Sequence, residues 1–215
     1  MHAAYANSAM AHALELDDVH DPTILHTCNI VFSAALATAE SVGRVNGKEL
    51  LTSVILGVDI MCRLGLGVRV ARGWNRPSIY GVFGVVAAIS KLLKLTKTEL
   101  HNAFGIAYTQ ACGNSQSNRD GALVKRMMPG NAARAGLLAA SMARKGITGP
   151  KLFLEGKFGL YNLYERGSEI DRKAVLQDLG ERFEIVNLSM KRFPSCRGTH
   201  AAVNSALELA KSHDI

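Results

Sequence analysis

The chain has 215 residues, a formal net charge of +7 at pH 7, 48% apolar residues and only 6% aromatic ones. This allows one large domain, or one and part of another, with a core of Ala, Leu, Val, Ile and Gly that suits closely packed helices. The positive charge fits attraction for small anions and not nucleic acid, because no basic run is interleaved with aromatics and no nucleic-acid-binding motif occurs.

The first residues, Met1-His2-Ala3-Ala4-Tyr5, lack the basic and then apolar regions of a signal peptide. The longest apolar runs are broken by Asp59, Arg63, Arg69 or Lys91, short of the roughly 20 residues of a membrane span. Cys28, Cys62, Cys112 and Cys196 are widely spaced and form no C-x-x-C pair. That argues against a structural zinc site or a disulfide framework and for a reducing compartment. The expectation is a cytoplasmic protein without a membrane or nucleic-acid partner.

In chain order, residues 1–16 read as a helix, ended by Asp17, Asp18 and then Pro22. Residues 28–42 read as a second, stopped by Gly43. Asn46 with Glu49 has the form of a capping box, Asn replacing the usual Ser or Thr, and the helix after it runs to about Val70. Its Gly57, Gly65 and Gly67 permit close helix contact, the reading we favour over a hinge. Residues 72–78 form a loop with the only Trp, two arginines and Pro77. Ser78 opens a helix to about Leu95, and Thr96 with Glu99 is a capping box before a helix over 97–112. A polar loop covers 113–121, and an alanine-rich helix covers 131–145. After Gly149-Pro150 the texture changes, as aromatics appear and alanines thin out. Asp171 caps a short helix to Leu179, and residues 183–188 alternate and read as a strand with no partner in this chain. A dense loop over 191–200 precedes a last helix over 201–211. The class is mainly α, without a fixed-period repeat.

The densest chemistry lies in residues 11–26, which hold four acidic residues and three histidines around Pro22. A histidine titrates near neutral pH, and a neighbouring Asp can orient its ring, which suits proton transfer. The spacing of His20 and His26 matches no standard zinc signature, so no metal is expected. The plainer alternative is a helix terminus whose acids cap a neighbouring helix while the histidines are solvated. Lys125-Arg126, Lys191-Arg192 and Arg197 sit in loops beside Gly and Pro. Such cations hold carboxylates, Arg bidentately and Lys as a point charge, and neutralise the dianion formed when a proton leaves the carbon next to a carboxylate. The plainer alternative is solvated surface charge. Cys196, four residues before His200, reads as a plain buried thiol rather than a nucleophile. There is no Gly-rich phosphate loop, nucleophile elbow or dinucleotide fingerprint.

Several stretches, in order, resemble the MmgE/PrpD family, which includes 2-methylcitrate dehydratase, cis-aconitate decarboxylase and iminodisuccinate epimerase. They are Ala11-His12-Ala13-Leu14 with Asp17-Asp18 and His26, Gly81-Val82-Phe83-Gly84, and Val124-Lys125-Arg126 with Pro129-Gly130. Gly149-Pro150 with Leu154-Glu155-Gly156 follows, then Phe193-Pro194 with Cys196-Arg197-Gly198-Thr199-His200. The resemblance implies an all-helical first domain, here residues 1–180 without its first helices, and the start of a smaller α/β domain over 181–215. It implies a fragment of a longer homodimeric enzyme, a lyase or isomerase without a cofactor, acting on a di- or tricarboxylate. By the same resemblance, His26 oriented by Asp17 or Asp18 is the proton-transfer group, and Lys125 holds a carboxylate or takes part in proton transfer. Asn75, Arg126, Lys191, Cys196, Arg197 and His200 are the implied substrate-binding residues. The chain departs from the family pattern at Glu15, Val19, Asn75, Met128 and Cys196, and has one extra residue before His26. The expected reaction is loss of water from a 2-methylcitrate-like compound, with an epimerase or isomerase and a non-catalytic helical protein as alternatives.

Overall fold

The computed structural model describes residues 1–68 and 73–214. The Val70 end expected for the third helix, and Arg72 at the head of the following loop, lie outside the described residues. The fold is mainly α. Helix α1 (His2–Ala13) leads into an irregular stretch containing the two-residue strand β1 (Val19–His20). Helix α2 (Cys28–Val42) has the bounds its sequence suggests. Helix α3 (Gly47–Leu66) starts at a formed capping box, in which the Glu49 amide donates to the Asn46 side chain and the Asn46 amide to the Glu49 carboxylate, each at 3.0 Å. Helix α4 (Arg76–Leu93) begins earlier than Ser78 because Asn75 caps it, accepting from the Ser78 amide at 3.1 Å, with Pro77 in the first turn. Helix α5 (Lys97–Gln110) is opened by the Thr96–Glu99 capping box.

The polar loop after α5 contains the short helix α6 (Gln116–Arg119) and leads into a 3-10 turn, Leu123–Met127. Helix α7 (Met128–Arg144) follows directly, then the short helices α8 (Leu160–Tyr164) and α9 (Arg172–Leu176). Asp171 caps α9, accepting from the Ala174 amide at 3.0 Å. Strand β2 (Leu188–Ser189) and helix α10 (His200–His213) complete the order.

Helix α4 lies at the centre, packed by α2, α3, α5 and α7. Its length and hydropathy would suit a membrane span, yet 78% of it is buried in this bundle. Ile79, Phe83, Val85, Val86 and Ile89 are almost wholly buried, each worth about 1.5–3 kcal/mol of apolar burial. At the α3–α4 crossing the two backbones touch. A Cβ on Gly57 would lie 2.6 Å from the Gly84 carbonyl oxygen, and one on Gly84 would lie 2.8 Å from that of Gly57. Gly57 is thus a close-contact residue.

The strand expected over 183–188 does not form. Residues Glu184–Asn187 make a 3-10 turn, and only Leu188–Ser189 pair, antiparallel, with Val19–His20. The buried member of that stretch is Glu184, while Val186 is 76% exposed, so the apolar alternation does not describe an inward face. The Glu184 amide donates to Asp59 at 2.9 Å, and its carboxylate takes His20 Nε2 at 3.2 Å and Asn187 Nδ2 at 2.8 Å. Arg63, buried in α3, donates to Asp59 at 2.7 Å and to the carbonyls of Gln177 and Arg182 at 2.7 and 2.6 Å. These polar contacts fasten residues 177–189 to the helices and carry Lys191 toward the end of α1.

Candidate functional site

Helix α1 stops at Ala13, and Glu15 takes a left-handed backbone conformation with φ of 55°, at a cost of about 1–2 kcal/mol for a residue with a side chain. The Glu15 carboxylate receives the Lys125 ammonium, the Arg126 guanidinium and, at 3.2 Å, the Lys191 ammonium. Burial pushes its pKa up. The hydrogen bond and charge of Lys125, with the charge of His12 and the bond from Lys191, outweigh that and hold it at about 2.

Asp17, nine-tenths buried, joins the two halves of the site. It accepts from His12 Nδ1 at 2.6 Å, Asn29 Nδ2 at 3.0 Å and Lys191 Nζ at 3.1 Å, and His26 Nδ1 lies 3.6 Å away. Burial raises its pKa, but the hydrogen bond from His12 and the charges of His26, His12 and Lys191 together bring it below the ordinary value. Asp17 is therefore ionised near neutral pH, and His12 Nδ1 carries the shared hydrogen.

His26 Nδ1 donates to the Asp18 carbonyl oxygen at 2.9 Å, which leaves Nε2 as the second ring nitrogen. Burial lowers the His26 pKa below 6.5 more than Asp17 and the Asp18 carbonyl raise it, and Lys191 and His12 lower it further. The ring is neutral at pH 7, with Nε2 unprotonated. The rings of His26 and His12 stand 5.4 Å apart between centroids.

Both histidines line a cavity of about 290 Å³, whose walls also include Glu15, Asn75, Lys125 and Cys196. A second cavity of about 300 Å³ shares Asn118 and Lys125 with the first and is also lined by Ser117 and Arg126. A larger groove of about 680 Å³ between residues 42–49 and 90–95 has neither His nor Cys in its described walls. We place the site at the first two cavities, where the ionisable groups converge.

Of the residues singled out in the sequence, Asp17, His26, Lys125, Arg126 and Lys191 come together, and Asn75 and Cys196 face the first cavity, where Cys196 is exposed and not the buried thiol expected. Asp18 takes a different place. Its carboxylate accepts from the Thr27 amide at 3.0 Å, the Thr27 hydroxyl at 2.6 Å and the Cys28 amide at 2.9 Å. It caps the start of α2, where free amide groups and the helix dipole favour an anion. Its backbone carbonyl, not its carboxylate, orients His26. Arg197 pairs with Asp21 at 3.4 Å, and His200 packs edge-on against Phe193 with its Nε2 buried and unpartnered. Neither is among the described walls of the two cavities. The solvated histidines of the plainer alternative are not found, since His12 and His20 are buried. Sequence reasoning missed His12 and Glu15 as parts of the site. His12 was visible as the histidine of Ala11-His12-Ala13-Leu14, five positions before Asp17. Among the described residues, no three His, Cys, Asp or Glu side chains are arranged to hold a metal ion.

Fold and site define a helical domain with a cationic, histidine-lined cavity at the end of its first helix. Residues 1–173 match the MmgE/PrpD N-terminal domain, and the chain belongs to the MmgE/PrpD family. A cis-aconitate decarboxylase of Aspergillus terreus is 31% identical over 224 residues, covering 98% of this chain and 46% of that protein. The cis-aconitate decarboxylase of Homo sapiens is 29% identical, with 98% of this chain and 44% of the relative covered. The chain thus spans less than half the length of these relatives.

Proposed function

We propose that this chain is the helical-domain portion of a lyase that acts on a small tricarboxylate, with proton transfer at a carbon next to a carboxylate. The observation that carries this reading is one cavity wall joining Lys125, which bears on Glu15 with Arg126, to the neutral His26 and the Asp17-held His12. Lys125 and Arg126 hold substrate carboxylates and spread the charge that develops beside them. His26 Nε2 takes up a proton and, as the imidazolium, can return it, while His12, kept in one tautomer by Asp17, lines the same cavity.

The relatives' names make cis-aconitate the first compound to try and loss of CO2 the first reaction. That step releases one carboxylate as CO2, and a proton replaces it on the carbon skeleton. Loss of water from a 2-methylcitrate-like hydroxytricarboxylate is the second reading, favoured by His26, because an unprotonated imidazole in the resting site is a base. A homodimer belongs to the same proposal, supported by the exposed Met10, Leu14, Leu16 and Phe32 at the ends of α1 and α2.

Proton NMR in D2O tests the reaction. The 215-residue protein, and a form extended to the ends of its reading frame, are incubated with cis-aconitate, 2-methylcitrate and an amino-dicarboxylate. CO2 release supports the first reading and an olefin formed with loss of water the second. Deuterium exchange without either product makes the protein an epimerase. His26→Ala is expected to cost at least about a hundredfold in turnover. Wild-type turnover in that variant would remove His26 from the mechanism, and inactivity of the folded extended protein on every compound would overturn the proposal.

A further inference from the structure

The Glu15 carboxylate is held by three cations. Two of its three cationic partners differ from the third in accessibility. The Lys191 side chain is 0% exposed and is held by Asp17 as well, whereas Lys125 and Arg126 are 21% and 34% exposed and reach Glu15 from the 3-10 turn before α7. Three cations meet two carboxylates, Glu15 and Asp17, so the cluster carries one positive charge in excess before the histidines are counted.

The second cavity lies against the same two accessible cations. Its described walls are Ser117, Asn118, Gly121, Ala122, Leu123, Lys125 and Arg126, with no acidic residue among them. The Ser117 hydroxyl oxygen there is buried without a hydrogen-bond partner. A buried polar atom normally has one. Two cations and an amide side chain around a space of about 300 Å³ make a receptor for a carboxylate.

We propose that Glu15 is the resting occupant of a carboxylate subsite formed by Lys125 and Arg126, and that a substrate carboxylate entering from the second cavity replaces it there. Lys191 keeps Glu15 and Asp17 in place during the exchange, so the site never holds an unpaired buried cation. Each new ion pair formed with the ligand is offset by one given up with Glu15. Binding of a polycarboxylate is thus weaker than the cations alone would allow, and monocarboxylates, which offer no second contact, are disfavoured. This inference rests on the carboxylate-binding part of the proposed function.

The test measures binding of propane-1,2,3-tricarboxylate, which has no hydroxyl or double bond to react, to the 215-residue protein at pH 7 by calorimetry. Glu15→Gln removes the competing charge and keeps the side-chain size. We expect it to bind the probe at least about tenfold more tightly than wild type. Glu15→Asp keeps the charge but draws it back from the two cations, and we expect a smaller gain of the same sign. It keeps the proposal testable if the first variant does not fold. Equal or weaker binding in a folded Glu15 variant, with binding lost in Lys125→Ala, would overturn the exchange while leaving the carboxylate-binding reading intact. Wild-type binding that survives Lys125→Ala, or no binding in any folded variant, would overturn both.

Discussion

The α3–α4 crossing and the turn after α1 solve opposite problems. At the crossing, two glycines bring the helix backbones into contact, and the side chains around them are the apolar Val31, Met61 and Ala88. In the turn, residues 12–26 bury Asp17, His12 and His20, pair His12 with Asp17, and give Asp17 and His20 the partners Lys191 and Glu184 from elsewhere in the chain. The crossing is held by shape, which is insensitive to pH and salt, whereas the turn is held by pairing, which depends on the charge state of each member. The rigid part can therefore carry a site whose charges are free to be exchanged.

Substitutions can separate the two kinds of region. The largest effect is expected at the crossing. Gly57→Val puts a branched side chain where even a Cβ would meet the Gly84 carbonyl oxygen at 2.6 Å. The expected cost is about 3 kcal/mol or more, read from urea unfolding. A stability loss below about 1 kcal/mol would mean that the helices can move apart, which close packing does not allow.

In the turn, Asp18→Ala should act as the loss of a helix cap. It leaves the Thr27 and Cys28 amides without an acceptor, a loss of about 1–2 kcal/mol. Restoration of stability by Asp18→Asn, which retains one acceptor oxygen, would support the cap. A variant with unchanged stability and lost turnover would return Asp18's carboxylate to the chemistry.

The smallest and most diffuse effect is on pH dependence. Burial holds the His20 and His26 pKa values below 6.5. On acidification the unfolded chain takes up those protons first, so stability begins to fall below about pH 6.5. Glu15 titrates at about 2 in the fold against an ordinary 4.5. Its contribution is complete above pH 4.5 and is lost as pH falls toward 2. Denaturant midpoints measured from pH 8 to pH 3 should decline in two stages, and Glu15→Gln should remove part of the lower one. A flat profile would show that the turn's charges are not differently placed in the folded and unfolded chains.

Much of the helical frame was legible in the sequence. The helix over 28–42 and the starts at Asn46 and Thr96 rest on patterns within one or two turns, and the structure forms them at those positions. The stretch over 183–188 was misread because alternation there is not driven by an apolar face. Its buried residue is Glu184, whose carboxylate pairs with Arg182 and Asn187 close by and with His20 more than a hundred positions away, while its backbone amide donates to the equally distant Asp59. Within the site, the meeting of Lys125, Arg126 and Lys191 could be anticipated from the family resemblance. The carboxylate they meet could not, since Glu15 registers in the sequence only as a departure from the family pattern.

The sequence by itself determined the mainly α class, most helix boundaries and the family. Those depend on apolar periodicity, caps and motifs whose physical effects act over a few residues. Only the tertiary structure decided that Asp18 caps α2 while Asp17 serves the histidines, that Arg197 and His200 stand away from the two cavities, and that Glu15 occupies the cation cluster. Adjacent aspartates are chemically alike. What separates them is which distant groups the fold brings within hydrogen-bonding distance, because burial leaves each charge dependent on its partners.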